Sequence, residues 1–250
     1  WVKQKMYSDF ASVYDELTEN ADYKERTEYI CALFKKFDRM PTLLLDLACG
    51  TGNFSDLFAE KGVSVIGVDS SYEMLSVARE KSVENGNDIL YLCQDATELD
   101  LYGTVDGAIC CLDSLNHITD YDAFCKAISR VSLFLEKDRL FIFDLNTPYK
   151  HREVLGNNTF VIDSDDVYCV WQNEYCDNNT VNINLDFFTL QGDAYYRSGE
   201  SFCERAYTQS EIKNALDGAG LKTEAIYEEM TQNSPSDKAQ RVVYVTRKVK

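Results

Sequence analysis

Asp46, Gly50 and Gly52, in the stretch LLLDLACGTGNF, have residue types and spacing suited to binding a ligand. Glycines between a buried strand and a helix let a ligand approach the backbone closely, and the N–H groups of the helix N-terminus point at it. A dinucleotide-binding loop has a third glycine that allows the helix to pack on the strand. This loop continues with Phe54 and has no third glycine, so the dinucleotide pattern is incomplete.

A second group of polar residues, Asp113, Asn116 and His117, follows the apolar run 105–112. These types suit a proton acceptor or a substrate clamp, but they are equally suited to a loop stabilised by turns of its own side chains. The sequence leaves both interpretations open. Cys110 and Cys111 are expected to pack within a strand rather than act as nucleophiles.

Apolar runs of strand length alternate with helical periodicity through the first part of the chain. Strands are predicted at 42–48, 63–69, 88–95, 105–112 and 139–146. Helices are predicted at 7–18, 22–38, 54–62, 70–86 and 121–137. Ser70 and Glu73 have the spacing of a capping box. This alternation is typical of a doubly wound parallel sheet, whose ligands bind beyond the carboxyl ends of the strands.

After Pro148 the pattern changes to the alternation of an antiparallel sheet, with apolar residues at Val181, Ile183, Leu185 and Phe187. The sheet is predicted to be an insert covering 150–206. The chain then resumes with a helix at 208–220, where Thr208 and Glu211 are spaced as a capping box, and with strands at 221–230 and 241–249. The predicted domains are therefore 1–149 with 207–250, and the insert 150–206.

Asp46, Gly50 and Gly52 together resemble the first motif of the class I S-adenosylmethionine-dependent methyltransferases. Asp69 ends the second predicted strand and Asp95 follows the third, where members of this family carry acidic residues. CCLDSLNHI stands at the place of the fourth motif. The insert resembles the antiparallel sheet over the active site of glycine and sugar N-methyltransferases, and the whole chain is similar to small bacterial methyltransferases of that type. The resemblance implies an α/β, Rossmann-like fold: a mostly parallel seven-stranded sheet with an antiparallel β lid.

The resemblance also implies which residues hold S-adenosylmethionine. Asp69 is expected to accept both ribose hydroxyls, Asp95 and the backbone of Ala96 to lie near the adenine, and Tyr14 to cover the cofactor carboxylate. The expected cofactor-binding residues are Tyr14, Asp46, Ala48, Cys49, Gly50, Gly52, Asp69, Ser70, Met74, Gln94, Asp95, Ala96 and Cys111.

The implied reaction is direct in-line transfer of a methyl group to a nitrogen or oxygen of a small molecule. The substrate could be an amine, and the cofactor product is S-adenosylhomocysteine. Alignment of the reactants accounts for most of what a protein contributes to such a step. Asp113 and His117 are the candidate catalytic residues, as acceptors of the substrate proton. Asn116, Arg205 and Tyr207 are expected to bind substrate, and Glu204 is a further candidate for the cleft. A non-catalytic S-adenosylmethionine-binding regulatory protein and a nucleotide-dependent oxidoreductase are the alternatives.

The charge and composition of the chain limit the kinds of partner that it is expected to bind. The formal net charge is −17, from 42 acidic and 25 basic residues, which opposes binding to nucleic acid. No apolar stretch reaches membrane-spanning length, and the first residues lack the core of a signal peptide. The sequence opens on Trp1, and a few leading residues are expected before it. The 9 cysteines without a Cys-x-x-Cys pair, and only 2 histidines, predict a cytoplasmic protein with reduced thiols and no metal site. A monomer or homodimer is expected.

Overall fold

The computed structural model describes residues 11, 14, 15, 18 and 21–250, so most of the helix predicted at 7–18 lies outside the described residues. The helices are α1 (Tyr23–Phe37), α2 (Asn53–Glu60), α3 (Tyr72–Glu84), α4 (Tyr121–Phe134) and α5 (Gln209–Gly218). The strands are β1 (Leu43–Leu47), β2 (Ser64–Asp69), β3 (Leu90–Cys93), β4 (Gly107–Cys110), β5 (Leu140–Asn146), β6 (Thr159–Asp163), β7 (Val167–Cys176), β8 (Thr180–Gln191), β9 (Ala194–Arg205), β10 (Leu221–Glu228) and β11 (Arg241–Lys248). Short helical turns lie at Ala96–Glu98, Ser114–His117 and Lys150–Leu155.

The main sheet has 7 strands in the order β10-β11-β5-β4-β1-β2-β3. Strands β1 to β5 pair in parallel, and β11 pairs antiparallel with both β5 and β10. The order reverses beside β1, which pairs with β2 on one side and β4 on the other, and this is where ligands bind in doubly wound sheets. The predicted seven-stranded, mostly parallel fold is confirmed.

Apolar side chains cover both faces of this sheet, which explains why the strands read as near-continuous apolar runs. Leu44 of β1 belongs to one cluster, with Phe34 of α1 and Phe58 of α2. Its neighbour Leu45 points to the other face and belongs to a second cluster, to which α4 and α5 contribute. The helices therefore hold the strand ends from both sides, and the loops that follow the strands are built on a rigid support.

A second sheet consists of β6-β7-β8-β9, with all neighbours antiparallel. Its strands fall inside the predicted insert 150–206, and the helical turn Lys150–Leu155 leads into it. Val181, Ile183 and Phe187 are buried along one face of β8, as the alternation predicts. The antiparallel sheet is confirmed, while the domain boundaries around it stay a prediction.

The two predicted helix caps have different outcomes. Thr208 and Glu211 form the predicted capping box at the start of α5. At α3 the prediction of a cap at Ser70 is wrong by one residue: the N-cap is Ser71, whose hydroxyl accepts the N–H of Met74 at 3.1 Å. The reason is Asp69, whose Oδ1 accepts the N–H of Ser71 at 2.9 Å and keeps Ser70 in the turn before the helix. No helix among the residues described here is both long and apolar enough to cross a membrane.

Candidate active site

A cavity of about 590 Å³ lies at the carboxyl ends of β1 to β4, closed on one side by the last residues of β9. Its walls include many residues expected to bind the cofactor: Tyr14, Ala48, Gly50, Asp69, Ser70, Met74, Gln94, Asp95 and Ala96. His117 of the loop after β4 and Phe202 of β9 form the opposite wall. The geometry therefore brings the glycine loop, the ends of β2 and β3, and the insert around one space.

Asp69 fixes the shape of the glycine loop. Its Oδ2 accepts the backbone N–H of Gly50 at 2.8 Å, and its Oδ1 accepts that of Ser71 at 2.9 Å. Burial raises the pKa of Asp69, and these backbone hydrogen bonds oppose the rise. Each carboxylate oxygen has a further lone pair for a ligand in the cavity.

Gly50 and Gly52 have different structural roles in the loop. Gly50 has a φ of +54°, and a Cβ built there meets nothing closer than Tyr14 Cε1 at 4.0 Å, so its open side faces the cavity. Gly52 has a φ of +78°, and a Cβ there would lie 2.5 Å from Tyr91 Oη and 3.0 Å from Ala78 Cβ. Gly52 is therefore needed for packing against α3 and β3, and it is not part of the cavity wall.

Tyr14 is held over this loop by its neighbour Asp15. Asp15 Oδ1 accepts hydrogen bonds from Thr51 Oγ1 at 2.5 Å and Asn53 Nδ2 at 2.8 Å, and Asp15 Oδ2 pairs with Lys81 Nζ at 2.6 Å. These contacts attach the segment carrying Tyr14 to the start of α2 and to α3. Burial raises the pKa of Tyr14 well above its ordinary value, so its hydroxyl stays protonated at neutral pH.

Gln94 and Asp95 shape the loop after β3. Gln94 bonds both backbone groups of Asp100, donating to its O at 3.0 Å and accepting its N–H at 2.9 Å. Asp95 Oδ1 accepts from the backbone and hydroxyl of Thr97, both at 2.7 Å, and caps the turn Ala96–Glu98. Both residues therefore stabilise the loop as well as lining the cavity.

Asp46, Cys49 and Cys111 lie outside the large cavity. They line an adjoining space of about 30 Å³, which shares Tyr14 and Gly50 with it. Asp46 Oδ2 accepts the hydroxyl of Ser55 at 2.6 Å, and burial raises its pKa to about 7. Asp46 therefore supports the start of α2, and no contact of its carboxylate with the larger cavity exists among the described residues.

Asp113 belongs to a buried polar cluster that sequence reasoning did not foresee. It has a φ of +53°, and its Oδ1 pairs with Arg241 Nη2 of β11 at 2.7 Å. Asn146 Nδ2, at the end of β5, donates to Asp113 Oδ2. Burial alone would raise the pKa of Asp113, but the charges of Arg241 and Lys150 outweigh it and lower that pKa. Asp113 is thus a poor proton acceptor, and it is absent from the cavity wall.

The same cluster contains three more carboxylates and a lysine. Arg241 also approaches Asp144 at 3.5 Å and Glu229 at 3.3 Å, and Asn146 Nδ2 donates to Glu204 Oε2 of β9 at 3.2 Å. Lys150 Nζ donates to Asn146 Oδ1 at 2.9 Å, and burial lowers its pKa. Asp144 and Asn146 lie at the carboxyl end of a parallel strand, and that position was the only sequence feature that could have predicted their place in this cluster. No sequence feature predicted Arg241 or Lys150 there.

His117 reaches the cavity. Its ring lies against that of Phe202, tilted by 33° with centroids 4.9 Å apart, and its Nε2 lies 3.7 Å from Glu204 Oε1. Its side chain is 46% exposed, whereas that of Glu204 is 6% exposed. Of the two candidate catalytic residues, only His117 combines contact with the cavity and an available ring nitrogen.

The three candidate substrate-binding residues lie elsewhere. Asn116 is buried and bonds the backbone of Asn146 and the O of Arg205. Arg205 pairs with Glu211 at 2.5 Å. Tyr207 is 2% exposed, packs on Phe124 with centroids 4.1 Å apart, and borders a different cavity of about 360 Å³. The geometry gives all three a role in attaching the insert to the main sheet and does not favour substrate contact.

Comparison with known proteins identifies relatives along the whole chain. A methyltransferase-domain family model matches residues 44–132. An S-adenosylmethionine-dependent methyltransferase from Clostridium acetobutylicum, solved by crystallography, is 34% identical with a TM-score of 0.90, over 98% of this chain and 99% of that one. The "Putative methyltransferase YqeM" of Bacillus subtilis is 34% identical over 247 residues, 98% of each chain.

A more distant structure shares the fold. The S-adenosylmethionine-bound structure of CalS10, an amino pentose methyltransferase from Micromonospora echinaspora, has a TM-score of 0.77 at 16% identity. It covers 95% of this chain and 97% of its own. The shared fold therefore extends over nearly the whole chain.

Proposed function

The chain belongs to the S-adenosylmethionine-dependent methyltransferases of the class I fold, and on that premise we propose that it methylates a nitrogen or oxygen of a small molecule under the antiparallel sheet. The observation that carries this proposal is the single cavity between the glycine loop and β9. One wall has the carboxylates and open glycine suited to the cofactor, and the other has His117 and Phe202.

The described residues fit S-adenosylmethionine. Gly50 leaves its side of the loop open, and Asp69 presents a carboxylate fixed by two backbone N–H groups, as two adjacent ribose hydroxyls require. We propose that Tyr14, Gly50, Asp69 and the loop of Gln94 to Ala96 hold the cofactor. When bound, it supplies an electrophilic methyl group on a positively charged sulfur.

Proposed contacts of Asp46, Cys49, Gly52 and Cys111 with the cofactor have less support. Asp46, Cys49 and Cys111 reach only the small adjoining cavity, and Gly52 faces Tyr91. Asp46 and Gly52 instead support the glycine loop that is proposed to hold the cofactor. Family membership removes the main basis for the dinucleotide-dependent oxidoreductase alternative, and the absence of a third glycine agrees with this.

The proposed proton acceptor is His117. A nitrogen or oxygen nucleophile loses a proton during methylation, and an acceptor in contact with the cavity removes it. Asp113 has a lowered pKa and its charge is paired with Arg241, so we assign it to positioning the loop after β4. This proposal applies to both an amine and an oxygen nucleophile.

A small molecule suits the site better than a macromolecule. β9 closes one side of the cavity, and the net charge of −17 opposes an RNA substrate. No Lys or Arg side chain lines the cavity among the described residues, so an anionic substrate group would lack a cationic partner there. A neutral or cationic substrate group is therefore favoured.

The test is incubation of the purified protein with methyl-labelled S-adenosylmethionine and a bacterial extract, divided into metabolite and macromolecule fractions. We expect label in a small molecule detected by mass spectrometry, lost with Asp69→Asn and retained with Asp100→Asn, an exposed carboxylate outside the cavity. Label confined to protein or RNA would overturn the small-molecule proposal. Cofactor binding without label in either fraction would favour the regulatory alternative.

A further inference from the structure

Glu204 is a buried carboxylate placed between the two histidines of the chain. Its Oε1 lies 3.7 Å from His117 Nε2, and its Oε2 lies 3.4 Å from His151 Nε2. Its one hydrogen bond among the described residues comes from the neutral amide of Asn146. A buried carboxylate is costly without compensation, and the two imidazoles contribute to it together with the charges of Lys150 and Arg241.

His151 is oriented towards Glu204 by a backbone carbonyl group. His151 is fully buried, and its Nδ1 lies 2.8 Å from the carbonyl oxygen of Asn179, which can only accept a hydrogen bond. Nδ1 therefore carries a hydrogen, and a neutral ring would then direct the lone pair of Nε2 at Glu204. No hydrogen bond joins Nε2 to Oε2 at 3.4 Å, and His151 Nε2 has no hydrogen-bond partner among the described residues.

From this geometry we propose that Glu204 and His151 are positioning residues that act through His117. The carboxylate of Glu204, 3.7 Å from His117 Nε2, favours a hydrogen on that nitrogen electrostatically, which leaves Nδ1 to accept the substrate proton. His117 Nδ1 has no partner among the described residues. This inference rests on the proposed function, because it assumes that His117 is the proton acceptor.

The charges balance through the transfer step. The substrate's nucleophilic atom forms a bond to the methyl carbon while the carbon–sulfur bond breaks, and that electron pair stays on sulfur. The proton released by the substrate moves to His117 Nδ1. The positive charge thus leaves sulfur and appears on an imidazole ring 3.7 Å from Glu204, where a carboxylate stabilises it.

Other charged groups act on the same two residues. Asp69 at the end of β2 and Asp113 on the loop after β4 both interact electrostatically with His117. Lys150 on the turn before β6 and Arg241 on β11 interact with Glu204. None of these four contacts either histidine ring among the described hydrogen bonds and ion pairs, so among them Glu204 is the charged group paired with both rings.

The decisive measurement is the tautomer of each histidine, by nitrogen-15 NMR of imidazole-labelled protein. The chain has 2 histidines, so His151→Asn alone assigns both spectra. Asparagine also keeps a donor for the O of Asn179. We expect wild-type His117 as the Nε2–H tautomer and the signal to move towards a mixture in Glu204→Gln. A wild-type His117 with its hydrogen on Nδ1 would overturn the inference without any variant.

Kinetics provide a second readout. In Glu204→Gln we expect kcat to fall about 10- to 100-fold, part of the contribution of a general base, with the KM for S-adenosylmethionine within about threefold. The acidic limb of the kcat profile should move to lower pH, because the charged ring of His117 loses its carboxylate. Glu204→Asp should restore part of kcat.

The matched control is Glu200→Gln. Glu200 is on the same strand and the same face as Glu204, is also buried at 6% exposure, and touches neither histidine. It should leave kcat and the pH profile unchanged. An unaltered profile in Glu204→Gln, with His117→Asn strongly impaired, would overturn this inference alone. An unimpaired His117→Asn would instead overturn the proposed role of His117.

Discussion

The carboxylate of Asp69 binds the backbone N–H of Gly50 at 2.8 Å, although the two residues are 19 positions apart in sequence. One side chain therefore sets the distance between the glycine loop and the end of β2. In the proposed function the same carboxylate accepts the ribose hydroxyls. Its replacement should change ligand binding more than folding.

In Asp69→Asn we expect the affinity for S-adenosylhomocysteine to fall about 10- to 100-fold, because hydrogen bonds to a charged acceptor contribute about 1.5–3 kcal/mol. The amide also replaces one acceptor oxygen by a donor, which then faces a backbone N–H. Isothermal titration calorimetry measures the affinity, and Asp100→Asn is the control. An affinity equal to that of the wild type would remove Asp69 from the cofactor site.

Alanine at Gly50 and at Gly52 should separate binding from packing. Gly50→Ala adds a methyl group to the cavity wall and backbone strain of about 1–2 kcal/mol, so affinity for the cofactor should fall about tenfold or more. Gly52→Ala adds a methyl group 2.5 Å from Tyr91 Oη, so it should cost a further amount of about 1–3 kcal/mol in unfolding free energy.

Gly62→Ala is the control for backbone strain. Gly62 has a φ of +80°, and no atom lies within 4 Å of the point that a Cβ would occupy, so its substitution should show the strain alone. Urea unfolding and cofactor titration on all three variants give the comparison. Equal losses of stability at positions 52 and 62 would contradict the packing role of Gly52.

Asp46 should make the protein less stable as pH rises. Burial raises its pKa to about 7, whereas an unfolded Asp has a pKa of about 3.9. Between about pH 4 and pH 7 unfolding therefore releases a proton, and raising the pH lowers the free energy of unfolding. Asp46→Asn should flatten this dependence and stabilise the protein above pH 7, by up to about 4 kcal/mol at about 1.4 kcal/mol per pKa unit.

Asp106 should change the free energy of unfolding with pH in the opposite direction to Asp46. Burial would raise its pKa, but hydrogen bonds from the backbone N–H groups of Leu43 and Thr42 outweigh it and lower the pKa. Its stabilisation is present above about pH 4 and is lost as the pH falls through the folded-state pKa. Asp106→Asn should thus destabilise the protein at neutral pH. Thermal unfolding between about pH 2 and pH 8 compares Asp106→Asn with Asp46→Asn, and the same direction of change with pH in both variants would refute this assignment.

Arg241 should be required for folding stability. Its guanidinium faces Asp113, Asp144 and Glu229, and its side chain is 11% exposed. Arg241→Met should lower the free energy of unfolding by about 3–5 kcal/mol, because it leaves buried carboxylates unpaired. Arg197→Met removes an exposed pair with Asp186 and should cost under about 1 kcal/mol. Urea unfolding measures both, and similar losses would contradict the role of Arg241.

The sequence was sufficient for features that depend on neighbours along the chain. Apolar runs predicted the main strands, and because parallel strands end at one edge, Gly50, Asp69 and Asp95 were expected in one place. The start of α3 was off by one residue because two serines are adjacent, and a bond from Ser71 N–H to Asp69 selects the second.

Contacts between distant elements could not be predicted. Arg241 reaches Asp113 only because β11 lies beside β5 in the sheet, and Glu204 reaches His117 only because β9 ends over the loop after β4. Tyr207 was expected at the substrate because it follows the insert. Its ring instead packs on Phe124 in the core, because α4 carries Phe124 to this position.

Asn116 has a consequence for how the two sheets have been able to diverge. Its amide bonds the backbone of Asn146, where the chain leaves the main sheet, and the O of Arg205, where it returns. Both ends of the excursion are thereby held at one point beside the cavity, so its length adds little strain to the parent fold. We therefore expect changes of length or side chain at the hairpin tips of the second sheet to leave the cofactor site unchanged.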